Sequence, residues 1–248
     1  MLTEKQKERY SRQIISPNIG EEGQEKLLKI KVLQIGAGGL GSPCSLYLTA
    51  AGIGELTIID NDTLEISNLQ RQILYNETHV GNNKVDSAKE VLSNLNSEVK
   101  INAYNDYIDE DSIKKYVEGQ DFIIDCSDNM KSKFLINRTA IKFNLKCVIA
   151  GIENFYGQIM TIDPKKSACY ECVFTEPKKI IECISQRGPL PVIGVTPGIL
   201  GTLEALEVIK TALGLPNLEN KLLMVNLLDL SFTKIKIVKH ETCICSNL

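Results

Sequence analysis

Ile35-Gly36-Ala37-Gly38-Gly39-Leu40-Gly41 decides the fold of this chain. A strand-like run, Lys31–Ile35, leads into it, and a helix is expected over about Gly39–Ala51. A second strand, Glu55–Asp60, follows and ends on an acid. Gly36, Gly38 and Gly41 permit a tight turn and close backbone approach to a phosphate. The helix N-terminus that follows supplies free N–H donors and positive potential. Asp60 is then placed to accept hydrogen bonds from a ribose. A glycine turn kept only for packing is the plainer reading. The completeness of strand, turn, helix, strand and acid weighs against it.

Outward from that half, strands and helices keep alternating. Thr3 and Gln6 have capping-box spacing and predict a helix from about Glu4 to Ile14. Beyond Asp60 the pattern predicts a helix at about Lys84–Asn94, a strand at Val99–Tyr104 and a helix near Ser112–Val117. A buried strand at Asp121–Asp125, a helix at Lys131–Phe143 and a fifth strand at Lys146–Ala150 come next. Such alternation is the signature of a doubly wound, mostly parallel Rossmann-like sheet. The remainder reads as a strand at Gly157–Ile162, an irregular segment from Phe174 to Thr196 and a helix at about Pro197–Leu213. Two strands then follow without a helix between them, Leu222–Leu227 and Phe232–Val238, which implies an antiparallel C-terminal extension. The expectation is one α/β domain over 1–248, with a nucleotide-binding half at 1–150 and an extension at 151–248.

Charge is mixed, 28 Lys+Arg against 31 Asp+Glu for a net −3, and gives no reason to expect a nucleic-acid or membrane partner. The segment from Met1 to Glu8 is too charged for a signal peptide, and no apolar run approaches the ~18 residues of a membrane span. A soluble, cytoplasmic protein is expected. In a reducing compartment its eight cysteines do not read as a disulfide framework. Cys44, Cys126, Cys147 and Cys183 stand alone, whereas Cys169/Cys172 and Cys243/Cys245 come as close pairs. Cys169-x-x-Cys172 has structural-zinc spacing, and four thiolates would complete a tetrahedral site. Cys243-x-Cys245 is tighter than the usual pair. A redox C-x-x-C and two unconnected buried pairs are the other readings.

The polar stretch Asp60-Asn61-Asp62-Thr63-Leu64-Glu65-Ile66-Ser67-Asn68-Leu69-Gln70-Arg71-Gln72 carries chemistry of its own. Arg71 follows the amides Asn68 and Gln70, Lys84 lies beyond the loop, and Arg12 lies far upstream. Taken singly, each cation reads as a solvated surface charge. Converging on one nucleotide, they would neutralise a triphosphate. Asp128, in Asp125-Cys126-Ser127-Asp128-Asn129, follows the fourth parallel strand, where ligands of open α/β sheets gather. It reads as a Mg²⁺ ligand or as an N-cap for the next helix. Cys183, near Lys178, Lys179 and Arg187, reads as an activated thiolate or as an unreactive loop cysteine. An NAD-dependent dehydrogenase is the rival reading of the glycine turn. Neither of the two histidines, His79 and His240, ends a predicted central strand, which argues against hydride transfer.

Arg9-Tyr10-Ser11-Arg12-Gln13-Ile14, Gly36–Gly41, Asp60–Gln72, Lys84, Cys126-Ser127-Asp128-Asn129, Cys169-Tyr170-Glu171-Cys172 and the terminal cysteines together resemble the ThiF/MoeB/HesA family. These are bacterial and archaeal relatives of ubiquitin-activating enzymes, and the resemblance covers almost the whole chain. It implies ATP-dependent adenylation of the C-terminal glycine of a ubiquitin-like sulfur carrier ending in Gly-Gly, ThiS- or MoaD-like, with release of pyrophosphate. Thiamine and molybdopterin biosynthesis are the pathways it suggests.

Carried across by position, the nucleotide set is Gly36, Gly38, Gly39, Gly41, Asp60, Ser67, Asn68, Gln70, Arg71, Gln72, Lys84, Asp128 and Asn129. Asp128 would bind Mg²⁺, and Arg12 would reach the ATP of the other subunit of a homodimer. Cys169, Cys172, Cys243 and Cys245 would hold Zn²⁺, although the family's last pair is usually C-x-x-C. Cys183 falls in the family's crossover loop, near its conserved cysteine. No rhodanese-like sulfurtransferase stretch is present, so sulfur would come from another protein. The chemistry agrees with the residues. A terminal carboxylate, with a pKa of about 3.3–3.7, is already ionised at neutral pH and needs no general base. Cations and amides answer its repulsion from phosphate. A non-catalytic ATP-binding scaffold is the alternative from another class.

Overall fold

Three short helices open the chain: α1 (Glu4–Arg9), α2 (Ser11–Ile14) and α3 (Gly20–Leu27). Thr3 and Gln6 form the expected capping box, Gln6 N donating to Thr3 Oγ1 at 3.2 Å and Thr3 N to Gln6 Oε1 at 2.9 Å. The single helix expected to reach Ile14 is interrupted at Tyr10. Its side chain is buried against Gly52, and its hydroxyl accepts from Asn96 Nδ2 at 2.9 Å. Next come β1 (Lys31–Ile35), α4 (Gly41–Ala51), β2 (Glu55–Ile59), α5 (Lys84–Leu95) and β3 (Lys100–Tyr104). Then follow β4 (Phe122–Asp125), α6 (Met130–Phe143) and β5 (Lys146–Glu153). Between β3 and β4 the expected α-helix is only a 3-10 turn, Ser112–Lys115.

The computed structural model describes residues 1–175, 177–185 and 190–247. Its second part holds β6 (Tyr156–Ile162), α7 (Tyr170–Val173), α8 (Pro177–Ser185), α9 (Val195–Leu213), β7 (Lys221–Asn226) and β8 (Ser231–Lys236). Helix α8 corrects the expectation of an irregular segment from Phe174 to Thr196. Ile180 and Ile181 give it an apolar side that packs on the core, while Cys183 is exposed. Strand β5 runs past its expected end at Ala150 because it pairs antiparallel with β6 as far as Glu153↔Tyr156.

All eight strands form one sheet in the order β3-β2-β1-β4-β5-β6-β7-β8. β1 to β5 are mutually parallel, and β6, β7 and β8 are added antiparallel, so the sheet is continuous across residue 150. Strands β1 and β4 lie side by side although β2 and β3 intervene in sequence. The chain thus leaves β1 toward one sheet edge and returns to build the other. A crevice opens at such a reversal, outside the carboxyl ends of the two strands.

One core cluster unites α4, α5 and α9 with one sheet face through residues such as Leu48, Val85, Leu200 and Val208. A second gathers α6 and the cysteine-rich tail on Leu33, Ile123, Cys147 and Ile149. Among the described residues no helix is long and apolar enough to cross a membrane.

The floor near β4 includes a buried ion pair that sequence reading did not foresee. Lys133 Nζ on α6 donates to Asp125 Oδ2 at 2.9 Å, to Ser127 O at 3.1 Å and to Ala150 O at 2.6 Å. Asp125 Oδ1 meanwhile accepts from both the amide and the hydroxyl of Ser127. One ammonium therefore joins the end of β4, the middle of β5 and the loop between β4 and α6. Lys133→Met would leave Asp125 buried with no cation. Breaking one side of such a pair costs about 3–5 kcal/mol, which denaturant unfolding of the two proteins would measure. A loss below about 1 kcal/mol would show that the pair does not hold this floor.

Candidate functional site

Two of the glycines after β1 are required by backbone contacts. At Gly36, φ is +97°, and a Cβ would sit 2.6 Å from the carbonyl oxygen of Cys126. At Gly41 a Cβ would meet Gly36 O at 2.3 Å. These two glycines press the turn against the end of β4 and onto the start of α4. Gly38 differs: a Cβ there would touch only Gln72 Nε2, at 3.7 Å. Its surroundings are open enough for a phosphate beside the N-terminus of α4. Tyr75, which sequence reading missed, locks the turn from below by donating its hydroxyl to Ala37 O at 2.8 Å. No local sequence signal marks that tyrosine.

The loop after β2 folds back over this turn. It passes through a 3-10 helix, Ile66–Asn68, and brings Arg71 and Gln72 to Gly39 and Gly38. Arg71 Cγ lies 3.5 Å from a Cβ placed on Gly39, and its Nη1 donates to Ser67 O at 3.1 Å. Gln72 is buried, and its Oε1 has no hydrogen-bond partner among the described residues. Asn68 Oδ1 accepts from Glu65 N at 3.1 Å, Ser67 Oγ donates to Glu65 Oε2 at 3.2 Å, and Gln70 is exposed. Pro197 on α9 closes the far side of Gly39.

Asp60 stands at the β2 end of the same space. Its Oδ2 accepts from Ala37 N at 2.7 Å and its Oδ1 from Asp62 N at 2.9 Å, so the acid clasps the turn directly. Each oxygen keeps a lone pair for a hydroxyl donor. Burial holds the Asp60 carboxyl above its ordinary value, while the Lys84 ammonium and those two amides pull the other way. Lys84 is buried at the start of α5 and donates to Asp62 Oδ2 at 2.6 Å. Asp62 is itself exposed, so a stronger anion can compete for the ammonium.

The remaining candidates divide. Asp128 is exposed in the loop after β4, and the preceding Ser127 N lies 3.2 Å from the Cβ position of Gly36. Its helix-capping reading is corrected: Asn129 is the N-cap of α6, accepting from Ser132 N at 2.9 Å. Arg12 is not brought to Arg71 and Lys84 within one chain. It is exposed on α2, whose neighbour Gln13 donates to Ala51 O at 3.0 Å, at the C-terminal end of α4. That is a helix length of about 16 Å from the glycine turn. Cys183 stands on α8 rather than in a loop, beside Lys179. Arg187, its third expected basic neighbour, lies outside the described residues.

The four paired cysteines meet. Cys169 Sγ is 3.4 Å from Cys243 Sγ, Cys172 Sγ is 3.5 Å from Cys245 Sγ, and Cys169 and Cys172 are 4.0 Å apart. A tetrahedral zinc with Zn–S of about 2.3 Å would set sulfur–sulfur edges of about 3.8 Å. The tight Cys243-x-Cys245 spacing is accommodated by the 3-10 turn at Ile244–Asn247. Backbone His240 N donates to Cys172 Sγ at 3.3 Å and Asn137 Nδ2 to Cys169 Sγ at 3.8 Å, the outer contacts a thiolate site wants. This donor set fits zinc.

Were Asp60 to hold a ribose, its carboxylate would have to be ionised to accept from both hydroxyls. Acid should therefore weaken nucleotide binding through the raised pKa of Asp60, at a pH above the ordinary value of 3.8. Asp60→Asn is expected to lower ATP affinity by about 10-fold or more and to flatten that acid limb. Calorimetric titration of both proteins with ATP across the acidic range reads the difference. An unchanged affinity would remove Asp60 from the site.

Residues 10–247 match the ThiF family. The chain is 39% identical over 242 residues to the adenylyltransferase and sulfurtransferase MOCS3 of Xenopus laevis, covering 96% of this chain and 53% of that protein. It is 35% identical over 242 residues to the SAMP-activating enzyme E1 of Haloferax volcanii, covering 96% of this chain and 88% of that one. Against the MOCS3 relatives it spans about half their length. Among solved structures, E. coli MccB with ATP superposes with a TM-score of 0.85 at 28% identity, over 96% of this chain and 74% of that one.

Proposed function

Because the chain belongs to the ThiF family, we propose that it is an ATP-dependent adenylyltransferase. Its second substrate would be the C-terminal glycine carboxylate of a ubiquitin-like sulfur carrier, converted to an acyl-adenylate with release of pyrophosphate. One observation carries this reading. Arg71 and Gln72 are folded over a glycine turn that is open at Gly38, at the switch point of the sheet, with Asp60 and Lys84 behind it. Cations and amides surround the phosphate region. His79 is instead buried, its Nδ1 accepting from Asn76 N, and His240 lies beside the cysteine cluster.

In this reading Asp60 accepts from the ribose hydroxyls, and the turn amides with the N-terminus of α4 hold phosphate oxygens. The carrier's terminal carboxylate attacks the α-phosphorus as an anion, and the bond to pyrophosphate breaks. Arg71 and Lys84 take up the charge that develops on the phosphates, Lys84 leaving Asp62 to do so. Gln72 supplies an amide beside Gly38. Asp128 would hold Mg²⁺, which supplies further neutralisation of the triphosphate. Arg12, remote from its own chain's turn, would serve the site of a second copy in a homodimer. The cysteine quartet would hold a structural zinc, and the whole would form one domain working in the cytoplasm.

The names of the relatives, an adenylyltransferase and sulfurtransferase and a SAMP-activating enzyme E1, support an adenylate-forming activating enzyme. The MOCS3 relatives and the SAMP-activating enzyme leave a MoaD-like and a ThiS-like carrier, and so molybdopterin and thiamine synthesis, both to be tried. The test is Mg²⁺-dependent ATP–pyrophosphate exchange with carriers ending in Gly-Gly and with the same carriers lacking that end. Exchange that needs the intact end is expected. ATP binding without exchange under any carrier would favour a nucleotide-holding scaffold.

A further inference from the structure

Behind the glycine turn, on the α4 and α9 side of the sheet, three ligating side chains meet that the site above does not use. They are Cys44 on α4, Cys126 just past β4 and Glu204 on α9. All three are buried, and one ligand atom from each lies within 4.8 Å of the others. Cys126 Sγ is 3.4 Å from Glu204 Oε2. Burial and the nearby Asp125 charge push this carboxyl well above its ordinary value, and its Oε1 has no hydrogen-bond partner among the described residues. Lys133, the cation whose charge reaches Glu204, is committed to Asp125, Ser127 O and Ala150 O. An unsatisfied buried carboxyl oxygen is costly, and an ion that satisfies it is one of few explanations.

The donor chemistry and the spacing both suit such an ion. Two thiolates with one carboxylate are ligands that zinc accepts. With Zn–S of about 2.3 Å and Zn–O of about 2.0 Å, tetrahedral angles set a sulfur–oxygen edge of about 3.5 Å. The observed 3.4 Å falls on that edge. We propose that Cys44, Cys126 and Glu204 form a buried site for a thiophilic divalent cation of the zinc class. The free Oε1 lets the carboxylate close the shell with both oxygens. This site is separate from the cysteine quartet, because Cys44 and Cys126 belong to the core cluster of one sheet face and Cys169, Cys243 and Cys245 to that of the other. Cys126 also carries the carbonyl on which Gly36 rests, so a bound cation ties α4 and α9 to the strand end beneath the turn.

Zinc content decides the matter, measured by mass spectrometry after loading with Zn²⁺ under reducing conditions and removal of excess metal. Wild type should hold one zinc per chain more than Glu204→Gln and one more than Cys44→Ala. The difference is the readout, so it does not depend on whether the quartet binds zinc. Equal contents in all three proteins would overturn the site and leave Glu204 as a neutral buried carboxyl. If neither variant folds, zinc X-ray absorption on the wild type gives the answer. A first shell containing oxygen beside sulfur supports the site, and a shell of sulfur alone overturns it.

Discussion

Arg71→Ala is expected to remove adenylate formation, lowering Mg²⁺-dependent pyrophosphate exchange by at least ~100-fold while the protein stays folded. The two halves of that statement come from different contacts. In the fold, the Arg71 guanidinium donates from Nη1 to Ser67 O at 3.1 Å, on an exposed residue. Water can take over an exposed carbonyl, so the cost to stability stays within about 1 kcal/mol. In the reaction the stem of Arg71 lies over Gly39, and the group can reach an anion held by the turn. Preorganised donors aimed at developing charge are worth about 2.7–4 kcal/mol each, or roughly 100- to 1,000-fold in rate. Arg71→Lys keeps the charge but loses the fork, and should fall between wild type and the alanine variant. Exchange rates and melting temperatures of the three proteins check this together. Full activity in the alanine variant would take Arg71 out of the site.

What is legible in sequence and what is not is a matter of range. The glycine turn, Asp60 and the alternation up to β5 show in sequence as residue types at fixed spacings along one strand–turn–helix–strand unit and as apolar runs such as the fully buried β4. Their residues announce themselves. The helix break at Tyr10 was not legible, because its cause is a ring seated against Gly52 and a bond to Asn96, both distant in sequence. Helix α8 was missed because Pro177 and the surrounding polar residues read as loop, while its apolar side is completed only by packing on the core. The two readings of Asp128 could be separated only by seeing that Asn129 takes the cap. Nothing local to Lys133 marks its pairing with Asp125, which only the packing of α6 on β4 creates. Arg12 shows the opposite limit, since within one chain its helix lies against the C-terminal end of α4, away from the glycine turn.

The cysteine quartet carries the other large expected effect. Cys245→Ser should lose one zinc relative to the wild type and melt about 6–12 °C lower, a fall that corresponds to roughly 3 kcal/mol in a chain of this size. The tail explains the size. Past β8 the backbone is held mainly by its own short turns, Cys243 N to His240 O at 3.0 Å and Ser246 N to Cys243 O at 2.9 Å. Beyond the bond from Ile237 N to Asn220 O just after β8, this tail is linked to the body through sulfur: Cys243 to Cys169, Cys245 to Cys172, and His240 N to Cys172 Sγ. A metal joining these four groups closes a chain segment of more than seventy residues, from Cys169 to Cys245. A comparable native cross-link contributes about 2–5 kcal/mol, and structural zinc binding is itself folding free energy. Without the metal the four sulfurs would be protonated thiols in 3.4–4.0 Å contacts, which hold the tail more weakly than bonds to a shared cation. The sheet keeps its own core throughout, because β7 pairs with β6 independently of the tail. Chelation of the wild type should therefore expose the segment after β8 to limited proteolysis before the sheet unfolds. A melting temperature unchanged in Cys245→Ser, or zinc content equal to wild type, would show that the quartet is a packed cluster of thiols and no metal staple.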